Sequence, residues 1–285
     1  MNKRGLLRGT LGLLVAGLTG APALAQNLWE TLPFPTSYPT PDTEGASQVN
    51  GISLYHAEWG AGSPVILLHG GLGSIEAWAN QIPALAAKYH VIAIDSRGHG
   101  RSTRDEQPYS YDLMAADVLA LMDQMGIGKA AFAGWSDGGI IALDIAVNNP
   151  DRIDRAVVIG TNYTVDGVDP AVETNATFGA YVGAAAELYA KNSPTPDQFD
   201  TFVGEISGMW GSQPNFTEAE LGAITARFTV LQAAHDEAIL RAHAEKMASL
   251  IPGAKYVLVD GVSHFAMWQD PDRLTGHMLD ALDGW

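Results

Sequence analysis

The chain contains no cysteine, which removes disulfides, thiolate metal ligands and thiol nucleophiles together. Basic residues are scarce: 16 Lys and Arg stand against 32 Asp and Glu, for a formal net charge of −16 at pH 7. No basic cluster interrupts that excess, so neither nucleic acid nor an anionic membrane surface is an expected partner. Long apolar runs are missing too. The stretch "LGLLVAGLTG" (11–20) is broken by glycine and threonine and falls short of the roughly 20 residues a membrane span needs. No close pair of histidines with a carboxylate stands at ligand spacing, so no metal is expected, and the chemistry read below needs no organic cofactor.

What is present is enough for one large domain: 285 residues, 47% of them hydrophobic, can bury a full core. The first 25 residues read as a secretory signal. Lys3, Arg4 and Arg8 give a basic start, a short apolar stretch follows, and Ala23 and Ala25 precede Gln26, as a cleavage site requires. Cleavage after Ala25 would remove three basic residues and no acidic one, taking the net charge from −16 to −19, and would leave an exported protein, periplasmic or secreted, with no membrane anchor. Residues 26–47, with "TLPFPTSYPTPDTEG", form an extended lead-in because prolines deny it helix and ladder hydrogen bonds.

Beyond the lead-in, short apolar runs alternate with longer amphipathic segments. The runs at 63–71, 89–97, 129–136, 154–162, 228–236 and 254–261 read as strands buried on both faces, and those at 75–88, 111–126, 137–148, 236–250 and 266–283 as helices. The expected architecture is α/β, a doubly wound and mostly parallel sheet, with a core formed by 48–162 and 227–285. Residues 163–226 are too many for one loop, so they are expected to form a helical cap over the carboxyl edge of the sheet. Aromatic residues such as Tyr181 and Trp210 lie in that cap.

The segment "GWSDGG" (134–139) places Ser136 between Gly134 and Gly138 at the end of an apolar run. A sharp strand-to-helix turn strains the serine, and only small residues fit two positions before and after it. Such a turn lifts the hydroxyl out of the sheet and leaves the amide of Asp137 at a helix amino end, where negative charge is stabilised. The Asp137 side chain reads most simply as a first-turn carboxylate.

With "LLHGGLGS" (67–74), "DSRGHGRS" (95–102), "GWSDGG" and a late histidine in "DGVSHFAMW" (260–268), all at strand ends and in this order, the chain resembles the α/β-hydrolase superfamily over nearly all of its mature length. The resemblance implies the capped branch that holds esterases, lactonases, cofactor-free perhydrolases and carbon-carbon bond hydrolases. Epoxide hydrolases and haloalkane dehalogenases carry aspartate where this chain has Ser136. It implies Ser136 as nucleophile, His264 as base and Asp236 as the acid that orients the base, with the adjacent Glu237 left open. It also implies an oxyanion hole from the amides of Asp137 and Gly71, with Leu72 the other candidate for the latter. Leu72, Trp135, Tyr181, Trp210 and Phe265 are expected at the pocket, and Asp95, Arg97 and Arg101 are expected to brace a turn. The expected substrate is a neutral, moderately apolar small-molecule ester or lactone. A carbon-carbon hydrolase, a perhydrolase and a slow-turnover ligand receptor are the alternatives.

Overall fold

Strands buried on both faces must be covered on both sides, and that requirement organises the molecule. The computed structural model describes residues 26–283; the expected secretory signal lies outside the described residues. Eight strands form one sheet: β1 (Thr43–Val49), β2 (Ile52–Trp59), β3 (Pro64–Leu68), β4 (His90–Ile94), β5 (Ala130–Trp135), β6 (Ile153–Ile159), β7 (Arg227–Ala233) and β8 (Lys255–Val259). Their order is β1-β2-β4-β3-β5-β6-β7-β8. β1 and β2 pair antiparallel, as do β2 and β4, and every later pairing is parallel. β5 lies inside the parallel part and is buried at every position.

Helices cover the sheet. α1 (Ile82–Ala86) packs on β4. α2 (Tyr111–Gln124) and α3 (Asp137–Asn148) pack together, with α3 also crossing β3, β5 and β6. Between β6 and β7 the insert supplies α4 (Ala176–Asn192), α5 (Phe199–Trp210) and α6 (Glu218–Gly222). α7 (Arg241–Leu250) packs on β7 and β8, α8 (Ala266–Gln269) follows β8, and α9 (Pro271–Leu282) packs on β6. Among the described residues no helix is long and apolar enough to cross a membrane.

The structure departs from the sequence reading in four places. β1 begins at Thr43, inside the expected lead-in, and pairs with β2, which the apolar pattern did not reveal. β1 is largely exposed, so it lacks the continuous apolar run of a buried strand. The expected helix 75–88 is a 3-10 turn at Ile75–Trp78 followed by α1, and the expected 266–283 is split into α8 and α9. Pro83 and Pro271 stand in the first turns of α1 and α9, where a missing N–H is harmless, and Pro271 disfavours helix at Asp270, the residue that separates α8 from α9. The expected 236–250 starts only at Arg241 because residues 236–240 form a loop.

Candidate active site

Ser136 has φ 52° and ψ −119°, a strained conformation for a residue with a Cβ. The neighbouring chain enforces it. A Cβ at Gly138 would stand 2.1 Å from the Leu68 carbonyl oxygen, and one at Gly134 would stand 2.3 Å from that of Gly138. Strand and helix therefore cross at backbone contact distance, which glycine alone permits. The Ser136 N–H donates to the Ile159 carbonyl at 2.8 Å, stitching the turn to β6. The amide of Asp137 opens α3.

The expected acid and base follow β7 and β8. His264 is 2% exposed, and its Nδ1 lies 3.0 and 3.2 Å from the two carboxylate oxygens of Asp236. Asp236 Oδ1 also accepts the amides of Ala238 and Ile239 at 2.9 and 2.8 Å, so one oxygen both orders the loop and reaches the ring. Glu237 does something different: its Oε2 accepts the main-chain N–H of His264 at 3.0 Å. The indole of Trp135 donates to the His264 carbonyl at 3.0 Å. Gly160, at φ +53°, ends β6 beneath this pair; a Cβ there would lie 2.8 Å from His264 Nδ1 and 2.9 Å from Asp236 Oδ2. Burial opposes charge on the His264 imidazole, but Asp236, with Glu237 and Asp137 behind it, outweighs burial and holds its pKa above the ordinary 6.5.

Ser136 and His264 open onto one cavity of about 440 Å³. Gly71, Asp137, Trp135, Tyr181 and Trp210 line it as well, whereas Leu72 and Phe265, expected at the pocket, do not. Leu72 takes φ 61°, is buried and lines a separate small pocket with Ala185 and Leu188 of α4. Phe265 is fully buried and stacks on Trp268 with centroids 5.2 Å apart. Bulk apolar rings gain more from complete burial than from a wall position.

The Asp137 side chain stands in the first turn of α3, as expected, but it is buried. It is 7% exposed and accepts the Tyr111 hydroxyl at 2.9 Å and the Trp210 indole N–H at 2.8 Å. It thereby joins α2, the start of α3 and the end of α5 next to Ser136. Burial pushes its carboxyl up to about 6, against the two hydrogen bonds and the nearby imidazole. The Tyr181 hydroxyl donates to the Gly71 carbonyl at 2.6 Å, so α4 holds the loop expected to supply the second oxyanion amide. Sequence reading missed Tyr111, and also Gln213, whose Oε1 accepts the Tyr111 amide at 3.2 Å.

The turn after β4 sits apart from the cavity. Arg97 forks onto Asp117 at 2.7 and 2.9 Å, and Arg101 reaches Glu76 at 2.6 Å and Asp95 at 3.3 Å. Asp95 accepts the amides of Ile75 and Arg101, both at 2.8 Å. These groups brace the turn and do not line the cavity.

The family described as alpha/beta hydrolase fold matches residues 63–192. A Caulobacter segnis protein that carries the name carbamate hydrolase RutD is 29% identical over 248 residues, covering 79% of this chain and 93% of its own. A non-heme haloperoxidase of Rhodococcus erythropolis is 26% identical over 267 residues, covering 82% and 97%. The solved structure of carboxylesterase CesB from Bacillus subtilis shares the fold at TM-score 0.70 and 22% identity, covering 87% of this chain and 94% of that one. With an eight-stranded, mostly parallel sheet in the same architecture, the chain has the α/β-hydrolase fold.

Proposed function

We propose that the protein is a serine hydrolase that cleaves a neutral, moderately apolar ester or lactone through an acyl-enzyme. One observation carries the reading: Ser136, on its strained turn, shares a cavity with an imidazole whose Nδ1 is already engaged by Asp236. That engagement leaves Nε2 as the acceptor for the serine proton. Among the described residues no hydrogen bond joins the Ser136 hydroxyl to the imidazole, and contacts of this kind often tighten only in the substrate complex.

In the first half-reaction Ser136 Oγ attacks the carbonyl carbon as its proton passes to His264 Nε2. The oxyanion takes hydrogen bonds from the amides of Asp137 and Gly71, and the leaving alkoxide departs with the proton from the imidazolium. In the second, His264 deprotonates water, which attacks the acyl carbon, and the proton returns to Ser136. The exported location expected from residues 1–25 belongs to the same proposal, and a mature amino terminus at Gln26 would bear it out.

A serine-directed fluorophosphonate should label the wild type and leave Ser136→Ala untouched, with turnover down by about a million-fold. Labelling of the variant at another residue would overturn the assignment. The same variant pair assayed on an aryl ester, a lactone, a vinylogous diketone and peroxide with acetate fixes the reaction class. Peroxide belongs in that panel because a relative is named a haloperoxidase, and absence of turnover on all four would favour a ligand receptor.

A further inference from the structure

His264 is held at three points by side chains from other elements, and only one of them is the acid of the expected triad. Asp236 takes the ring at Nδ1, Trp135 donates to the main-chain carbonyl, and Glu237 accepts the main-chain amide. Glu237 pairs through Oε2 alone; its Oε1 is buried and has no hydrogen-bond partner. A buried carboxylate oxygen without a donor is costly, and a glutamine would meet the same amide without bringing a charge. The carboxylate at this position therefore calls for a reason beyond anchoring the loop.

We propose that Glu237 is a positioning residue for the general base: it fixes the His264 main chain while Asp236 fixes the ring, and it sets a second negative charge beside the imidazolium that forms during turnover. The charged groups that face the imidazole are Asp236 and Glu237 from the β7–α7 connection and Asp137 from the start of α3. Facing Glu237 in turn are His264 and Asp236. Burial lifts the Glu237 carboxyl above its ordinary value, and the imidazole opposes that lift, so each group favours the charge of the other. The two adjacent acids divide one task. Asp236 selects the tautomer, and Glu237 keeps the ring within reach of it while adding to its basicity.

The inference rests on His264 being the base, and the experiment separates the two. Glu237→Gln retains an acceptor for the His264 amide and removes the charge; Glu237→Ala removes both. For Glu237→Gln the acid limb of kcat/KM should move to lower pH by on the order of one unit, because a less supported imidazolium deprotonates more readily. For Glu237→Ala the same shift should come with a fall in kcat of about ten-fold or more at unchanged KM, since the imidazole loses its placement. Should the alanine variant fail to fold, the glutamine variant decides alone. An acid limb that stays in place in Glu237→Gln overturns the inference whatever the alanine variant does. Ser136→Ala is run alongside: if it retains turnover, the serine-hydrolase reading and this inference fall together, whereas an inactive Ser136→Ala with an unmoved Glu237→Gln limb sinks this inference only.

Discussion

A single atom, Asp236 Oδ1, accepts two loop amides and the imidazole N–H. Asparagine could keep the amides on its oxygen, but its NH₂ group would then meet Nδ1 and force the proton onto Nε2, where the base must be free. Asp236→Asn should therefore lose about ten-thousand-fold in turnover with the fold retained; rates set beside circular dichroism test this, and a loss under ten-fold would deny Asp236 its role. As the proposed base, the imidazole should also set the pH dependence. Its pKa is held above 6.5 in the fold, and only the neutral ring takes a proton, so the acid limb of kcat/KM should have its midpoint above 6.5. A midpoint below that value would contradict the support from Asp236. The stability consequence has a definite sign: a raised histidine contributes fully below its unfolded pKa, and that contribution is lost as pH rises through the folded one. Asp137 shows where residue-level reading stops. Its serine neighbour was legible, but its partners Tyr111 and Trp210 lie 26 and 73 positions away along the chain, and no local spacing announces them.

The elements that carry the site were legible because each leaves a local mark. Strands covered on both faces are continuous apolar runs, and glycines at 134 and 138 advertise the close crossing of β5 and α3. β1 left a weaker mark, since an exposed edge need not be apolar and the preceding prolines argue for loop; β2 alternates buried and half-buried residues instead of forming a continuous apolar run. Gly160 left none, yet it closes β6 under Asp236 and His264. Gly160→Ala meets two obstacles there: a positive φ, and a Cβ 2.8 Å from the His264 ring. The ring and its aspartate must move, and displacement of a catalytic group by about 1 Å can cost on the order of 100-fold. The expected result is a folded variant whose kcat falls by about that factor, read from steady-state rates at substrate saturation. Wild-type kcat would show that the pair does not depend on this floor.

Charge acts on the whole molecule at two depths, and the two can be told apart by salt. Residues 163–226 carry nine acids against the single base Lys191, a net charge of −8, although Glu205 and Glu218 spend part of it on Arg104 and Lys246. This outer field faces water. Deeper in, Asp137 lines the cavity beside Ser136 with two neutral donors as its hydrogen-bond partners, and the cavity wall carries no lysine or arginine among the described residues. A neutral ester should therefore have a higher kcat/KM than an analogue of equal size bearing a free carboxylate. Part of the penalty comes from the insert and should shrink between low salt and about 0.15 M, where the screening length falls to roughly 8 Å. The remainder comes from a buried charge that mobile ions do not reach, so it should persist in salt. That remainder should diminish as pH falls through about 6, where the Asp137 carboxyl takes up a proton, and it should vanish in Asp137→Asn. The measurement is kcat/KM for the matched pair at two ionic strengths and two pH values, in wild type and variant. Equal constants for the two substrates, or a preference for the anion, would mean that a basic group reaches the cavity when substrate binds. A penalty abolished by salt alone would assign the selection to the insert and leave Asp137 as a structural link between α2 and α5.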